Sequence, residues 1–240
     1  MGGKKLYIPV KRDFKGLNGK TLIAEGNDEA YFACACLAKK LEIQIDQIVD
    51  AGGYKYLPGK LDDIVKGLEN GAVLGVFCDA DYYYKKESTG DVWTDFRTAI
   101  NKAYKDTILK TELYPEQGFS VTIEDGLLTY KVGIFISGYF KNPLAALDEL
   151  ILEMIPRDLL FEKASATISE IQKLKLIPEF SKRIFNPDKQ KKAFLKTWLA
   201  WQKEPGMAYG KALSENLLNE TPEFLTFKSW LQRLYSNEND

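Results

Sequence analysis

The segment Ala72-Val73-Leu74-Gly75-Val76-Phe77-Cys78 constrains this chain more than any other. It shows no polar/apolar alternation, and a strand of that kind has to be covered on both faces. It ends in Asp79-Ala80-Asp81. The flanking sequence supplies the cover. Lys20 to Ala24 reads as a short buried strand closing on Glu25-Gly26, and Asn27 or Asp28 can cap a helix over 28–41. Tyr31, Cys34, Leu37, Ala38 and Leu41 follow the spacing of that helix's buried face. Ile45 to Val49 is a second strand, ending in Asp50-Ala51-Gly52-Gly53, and helices are expected over 61–70 and 91–104. Phe119–Glu124 and Leu127–Val132 flank Asp125-Gly126, a hairpin signal, and the second strand continues to Ser137. Residues 1–19 read as a lead-in, either an edge strand or a hairpin. Alternation of strands and helices predicts an α/β protein with a mostly parallel sheet and helices on both faces.

Strand signals end near residue 143. Helices are expected over 144–155, 158–174, 189–203 and 222–235, with Trp198, Trp201 and Trp230 as large apolar surfaces, Trp198 and Trp201 being read as core and not as a binding platform. The expected organisation is an α/β core over 1–142 and a helical C-terminal part over 143–240, packed together as one unit. No apolar run is long enough for a membrane span, and the first residues lack the apolar stretch of a signal peptide. The chain is therefore expected in the cytoplasm, away from membranes. Cys34, Cys36 and Cys78 are expected to be free thiols that serve as small packing residues.

The chain contains no histidine. Ser-His-Asp and Cys-His catalysis within it are excluded, and so are the usual zinc and non-haem iron ligand sets. Acid–base work falls to Asp, Glu, Lys, Tyr or Cys, and any metal must be held by oxygen, which suits Mg²⁺, Mn²⁺ or Ca²⁺. The net charge of −1 is unlike that of a strongly basic nucleic-acid binder, although it leaves room for a local basic groove.

Ligands of open α/β sheets gather at the C-terminal ends of the parallel strands. Glu25 stands at one such end and Asp79 with Asp81 at another. Residues two apart in an extended segment project to the same side, so Asp79 and Asp81 can converge. Carboxylates crowded at one rim call for a proton or a cation. Asp148 adds to them. On a helix capped near Asn142-Pro143, it falls inside the apolar arc of Leu144, Leu147, Ile151, Met154 and Ile155, whereas Glu149 and Glu153 face the polar side. A carboxylate on a core-facing stripe needs a partner or a metal. The alternatives are ordinary: a solvated strand end or helix cap for Glu25, a calcium loop or simple turn for Asp79-Ala80-Asp81, a Lys-paired buried acid for Asp148.

Taken together, Ile23-Ala24-Glu25-Gly26 and Phe77-Cys78-Asp79-Ala80-Asp81 resemble the two motifs of the TOPRIM (topoisomerase–primase) domain. The strand end at Ala51-Gly52-Gly53 fits as well. More closely, the chain is similar to small prokaryotic TOPRIM-like proteins of unassigned function, through Trp93, Leu147-Asp148-Glu149-Leu150, Ile155-Pro156, Thr197 to Gln202 and Pro205-Gly206. The resemblance implies a Rossmann-like core and Mg²⁺- or Mn²⁺-dependent phosphodiester chemistry on DNA or RNA. It implies Glu25 as the acid–base residue, Asp79 and Asp81 as metal ligands, and Asp148 or its neighbour Glu149 as a further acid. The chain has no identifiable topoisomerase nucleophile, zinc finger, helicase or ATPase segment. Complete topoisomerase or primase activity is not expected.

Tyr82, Tyr83 and Tyr84 beside the motif can stack on bases or simply pack. Gly53 to Lys60 is not a P-loop: it has five residues between the glycines where four are needed, and Leu61 replaces the Ser or Thr. Its Lys55 and Lys60 remain candidates for phosphate contact, beside the reading as a solvated loop. Lys189-Gln190-Lys191-Lys192 reads as a solvated helix start, with nucleic-acid contact as the alternative. The expected function is a nuclease-like phosphodiester-processing enzyme. The alternative is a non-catalytic metal- or nucleotide-binding module that works with a protein partner or as a homo-oligomer.

Overall fold

The computed structural model describes residues 7–14, 17–53, 57–80, 92–104, 115–138, 146–174 and 187–236. Six strands form one sheet: β1 (Val10–Lys11), β2 (Lys20–Ala24), β3 (Gln47–Asp50), β4 (Val73–Asp79), β5 (Phe119–Asp125) and β6 (Leu128–Ser137). Their order is β1-β3-β2-β4-β6-β5. Every neighbouring pair is parallel except β5 and β6, which form the expected hairpin, with Gly126 at φ 63° in its turn. The apolar run becomes β4, flanked by β2 and β6 and buried along its middle.

Eight described helices complete a Rossmann-like α/β fold. They are α1 (Asn27–Ala35, continued by a π-helical segment Cys36–Leu41), α2 (Pro58–Lys66), α3 (Val92–Ala103), α4 (Leu147–Met154), α5 (Leu159–Leu174), α6 (Pro187–Ala200), α7 (Tyr209–Ser214) and α8 (Pro222–Tyr235). The pleat sends alternate residues of β4 to opposite faces. Phe77 joins Leu22, Ala24, Ile48 and Phe135 under α1, α4 and α6–α8. Leu74, Val76 and Cys78 join Ile23, Val49 and Ile134 under α2 and α3. The C-terminal helices thus share one core with the sheet.

This layering fixes where a ligand can sit. The chain leaves β2 for α1 on one face and turns toward β3. It leaves β4 toward α3 on the other face and toward the opposite edge. The two central strands therefore diverge at their C-terminal ends, which is the switch point where open α/β sheets bind ligands.

α8 lies close to the sheet because Gly75 and Gly133 stand opposite each other on β4 and β6. A Cβ on Gly75 would come within 2.9 Å of Leu22 Cδ1 and Leu234 Cδ2, and closer still to the Tyr235 hydroxyl. That hydroxyl donates to Thr21 O at 2.7 Å, and Trp230 Nε1 donates to Phe119 O at 2.9 Å.

Three local expectations are corrected. Tyr31 is exposed, not part of the buried face of α1. The helix is covered on two sides, by the sheet and by α7, so Ala30, Phe32, Ala33 and Ala35 are the buried residues. Trp198 is core, but Trp201 is 44% exposed just past the end of α6. The helix carrying Asp148 begins at Leu147, because Ala146 is extended at φ −128° and ψ 177°. The cap expected at Asn142-Pro143 lies outside the described residues.

Candidate functional site

Glu25 directly follows β2, and its backbone is clamped from both neighbouring strands. Its N–H donates to Phe77 O, and its carbonyl accepts from Gly53 N, each at 2.8 Å. Asp79 ends β4 next to it. The Asp79 backbone N–H donates to Glu25 Oε2 at 2.9 Å. The two acids are thus neighbours at the switch point. Asp79 Oδ1 in turn accepts from the backbone N–H of Leu147, the first residue of α4, at 2.8 Å. Asp79 therefore caps a helix from a distant strand, and negative charge is favourable at that helix end.

The cap brings α4 and its acids to the same rim. Asp148 Oδ1 accepts from the Tyr209 hydroxyl at 2.6 Å, and Asp148 Oδ2 lies 3.1 Å from Lys192 Nζ. Glu149 is paired with Lys191. Helical phase separates Asp148 from Glu149, but their side chains are 15% and 24% exposed. The structure brings them closer than that contrast because α6 lies across both. Lys192, read from sequence as solvated, is 61% exposed and Lys191 is 31% exposed, and each reaches an acid of α4 from α6. Tyr209 is delivered by a close helix contact. A Cβ on Gly210 would strike the carbonyl of Tyr31, so only glycine lets α7 approach α1 this tightly.

A fifth acid is missed by the sequence reading. Glu29 is the third residue of α1, and its Oε2 folds back to 3.0 Å from where a Gly26 Cβ would stand. Its carboxylate accepts from its own backbone N–H in the first turn of the helix, where negative charge is favourable. Burial pushes the Glu29 carboxyl from 4.5 up to about 7, and the charges of Asp28 and Asp148 add to the rise. The backbone N–H of Glu29 and the charge of Lys192 oppose it. Burial also holds the Cys78 thiol high, and the charges of Glu25, Asp79 and Glu29 all act on it. Glu29 thus lies within the field of Asp148 and Lys192, on the α1 side of the rim. The spacing Glu25-Gly26-Asn27-Asp28-Glu29 was the available signal. Nothing in the sequence announces Tyr209 or Lys192, which arrive by tertiary packing alone.

Other sequence candidates stand apart. Lys60 lies in the first turn of α2 with its Nζ 4.2 Å from the centre of the Phe14 ring. Lys55, Asp81 and Tyr82 lie outside the described residues, as do Tyr83 and Tyr84. Among the described residues, no three Asp, Glu or Cys side chains form a group able to hold a metal ion. No described helix is long and apolar enough to cross a membrane.

The family model described as "Protein of unknown function (DUF3226)" matches residues 19–236. The chain belongs to this family. Neither a curated protein nor a solved structure matches it. The DUF3226 span takes in Glu25, Glu29, Asp79, Asp148, Lys192 and Tyr209, and it begins after Arg12.

Proposed function

We propose that the protein is a TOPRIM-like, divalent-metal-dependent enzyme of the cytoplasm that processes phosphodiester bonds in DNA or RNA. The observation that carries this reading is the pairing of Glu25 and Asp79 on adjacent central strand ends, locked by the 2.9 Å hydrogen bond from the Asp79 backbone. The donor set fits a hard cation. Mg²⁺ usually takes one or two protein carboxylates and keeps its remaining positions for water and phosphate oxygens, so a site for it does not need three gathered acids. Asp79 and Asp81 would hold Mg²⁺ or Mn²⁺. Asp148 would become a further ligand when Lys192, itself 61% exposed, lets go of it.

A metal in such a place polarises a phosphoryl oxygen and lowers the pKa of the water it holds. The chain's own acids would do the rest. Glu25, anchored through Oε2, is oriented for proton transfer. Glu29 exchanges a proton near neutral pH at its carboxyl, as a general acid or base must. The α4 cap ties Asp79 to the Asp148–Tyr209–Lys192 group, so the pair is held by elements on both sides of the rim.

The test is cleavage of labelled single- and double-stranded DNA and RNA with Mg²⁺, Mn²⁺ or Ca²⁺. Metal-dependent cleavage that disappears in Asp79→Asn is expected. A clean preparation that cuts none of these substrates with any metal refutes the enzyme reading. The engagement of both Asp148 oxygens favours a second reading, a metal- or nucleotide-binding module without turnover. Metal binding by calorimetry without cleavage distinguishes it.

A further inference from the structure

A cleft of about 380 Å³ opens at the C-terminal ends of β1, β3 and β2, lined by Arg12, Gly26, Asn27, Asp50, Ala51 and Gly52. Gly26 is the residue after Glu25, so the cleft adjoins the proposed reaction site. Its walls have an unusual division of labour. Asp50, at the end of β3, is only 5% exposed. Its Oδ1 accepts from Gly52 N at 2.9 Å, and its Oδ2 lies 3.5 Å from Arg12 Nε. Arg12 is otherwise 82% exposed.

The buried carboxylate therefore tethers the guanidinium by its inner nitrogen. The two η nitrogens have no partner among the described residues, and neither does the Asn27 side-chain amide. An arginine held this way presents two parallel N–H groups, the arrangement that matches two oxygens of one phosphate. The volume exceeds a single phosphate and lies in the range of ordinary small-ligand sites.

We propose that this cleft is a phosphate-binding subsite, with Arg12 and Asn27 contacting the non-ester oxygens of a phosphate group beside the one processed at Glu25 and Asp79, and Asp50 acting as the positioning residue for Arg12. The proposal rests on the phosphodiester reading only for the identity of the neighbouring group. The phosphate can belong to a polynucleotide strand or to a free nucleotide, and the experiment separates these.

The experiment measures binding of the full chain to a fluorescent single-stranded oligonucleotide in EDTA, so that no metal or cleavage enters. Competition by AMP, ATP and inorganic phosphate forms the second arm. Arg12→Ala is expected to weaken strand binding about tenfold, as loss of a charged hydrogen-bond donor would. It should also reduce the salt slope by ~0.7, the share of one single-strand phosphate. Arg12→Lys should recover part of the affinity but not the full fork. Asn27→Ala, at an exposed position, should give a smaller loss in a chain whose folding is not in question. Arg12 dependence seen with the strand identifies a polynucleotide, and dependence seen with AMP or ATP alone identifies a nucleotide. No dependence on Arg12 or Asn27 in either arm, or no binding by the wild type in either arm, overturns the subsite. Metal-dependent cleavage with an unaltered Arg12→Ala profile overturns it while leaving the enzyme reading intact. Arg12-dependent binding without cleavage under any metal does the reverse.

Discussion

Glu29→Gln tests whether the rim crowds its acids as the structure indicates. In the unfolded chain the Glu29 carboxyl would titrate near 4.5, and in the folded protein near 7. Between those values the folded state binds a proton that the unfolded state has lost. Stability therefore falls as pH rises through that window, and the loss is complete once pH exceeds the folded value. At ~1.36 kcal/mol per pKa unit the full penalty is about 3 kcal/mol. Between pH 5 and 8 roughly 2.5 kcal/mol of it should develop. Glutamine carries no charge at any pH, so the variant lacks this term, and the other acids cancel in the difference. Urea unfolding of both proteins at half-unit pH intervals should show Glu29→Gln gaining on the wild type by that amount from pH 5 to 8. A difference that stays flat, or that runs the other way, refutes the placement of Glu29 in a desolvated, negatively charged corner. If Glu29 also moves a proton during turnover, kcat/KM of the wild type should inflect near pH 7 and the variant should lose that inflection.

Two substitutions probe the packing behind the site. Gly75→Ala drives a methyl into Leu22, Leu234 and the Tyr235 hydroxyl, so unfolding free energy should drop by about 2 kcal/mol or more, read from the urea midpoint at unchanged slope. Wild-type stability in that variant would mean that α8 does not rest on the glycine floor. Tyr209→Phe removes the hydroxyl donor from a mostly buried Asp148 carboxylate and should cost roughly 1.5–3 kcal/mol, the usual range for a charge-assisted hydrogen bond. A neutral result would show that Lys192 and solvent satisfy Asp148 unaided.

The features that could be read from the sequence are those whose causes are local. An uninterrupted apolar run has one comfortable place in a sheet, so β4 was legible together with the acid at its end. Asp125-Gly126 gives a hairpin because its turn needs a positive φ, and that too is local. The pairing of Glu25 with Asp79 required one global step, the assumption that strand ends share a rim, and the parallel sheet satisfies it. Tyr31 shows where periodicity stops being informative. Its 3-and-4 spacing marks one stripe of α1, but a helix pressed by both a sheet and another helix buries a wider arc, and the stripe's edge faces solvent. Gly75 and Gly133 were unreadable for a related reason. Each is unremarkable in its own strand, and their function comes from standing side by side under a helix whose sequence lies far away.

Asp148 is the most instructive case. Its position on a core-facing stripe implied that something must answer its charge, and the structure supplies Tyr209 from α7 and Lys192 from α6. Periodicity can establish that a buried carboxylate is owed a partner. It carries no information about whether that partner is a phenol, an ammonium group or a metal, because all three satisfy the same electrostatic demand. What separates them is reversibility. The tyrosine is part of the packing and stays, whereas a lysine that is mostly exposed can exchange for a divalent ion at little structural cost. The Lys192 side of Asp148 is therefore where a structural acid could become a ligand. That exchange has a direct readout in the metal affinity of Lys192→Ala relative to the wild type: a rise supports competition between ammonium and cation, and no change assigns Asp148 to the framework alone.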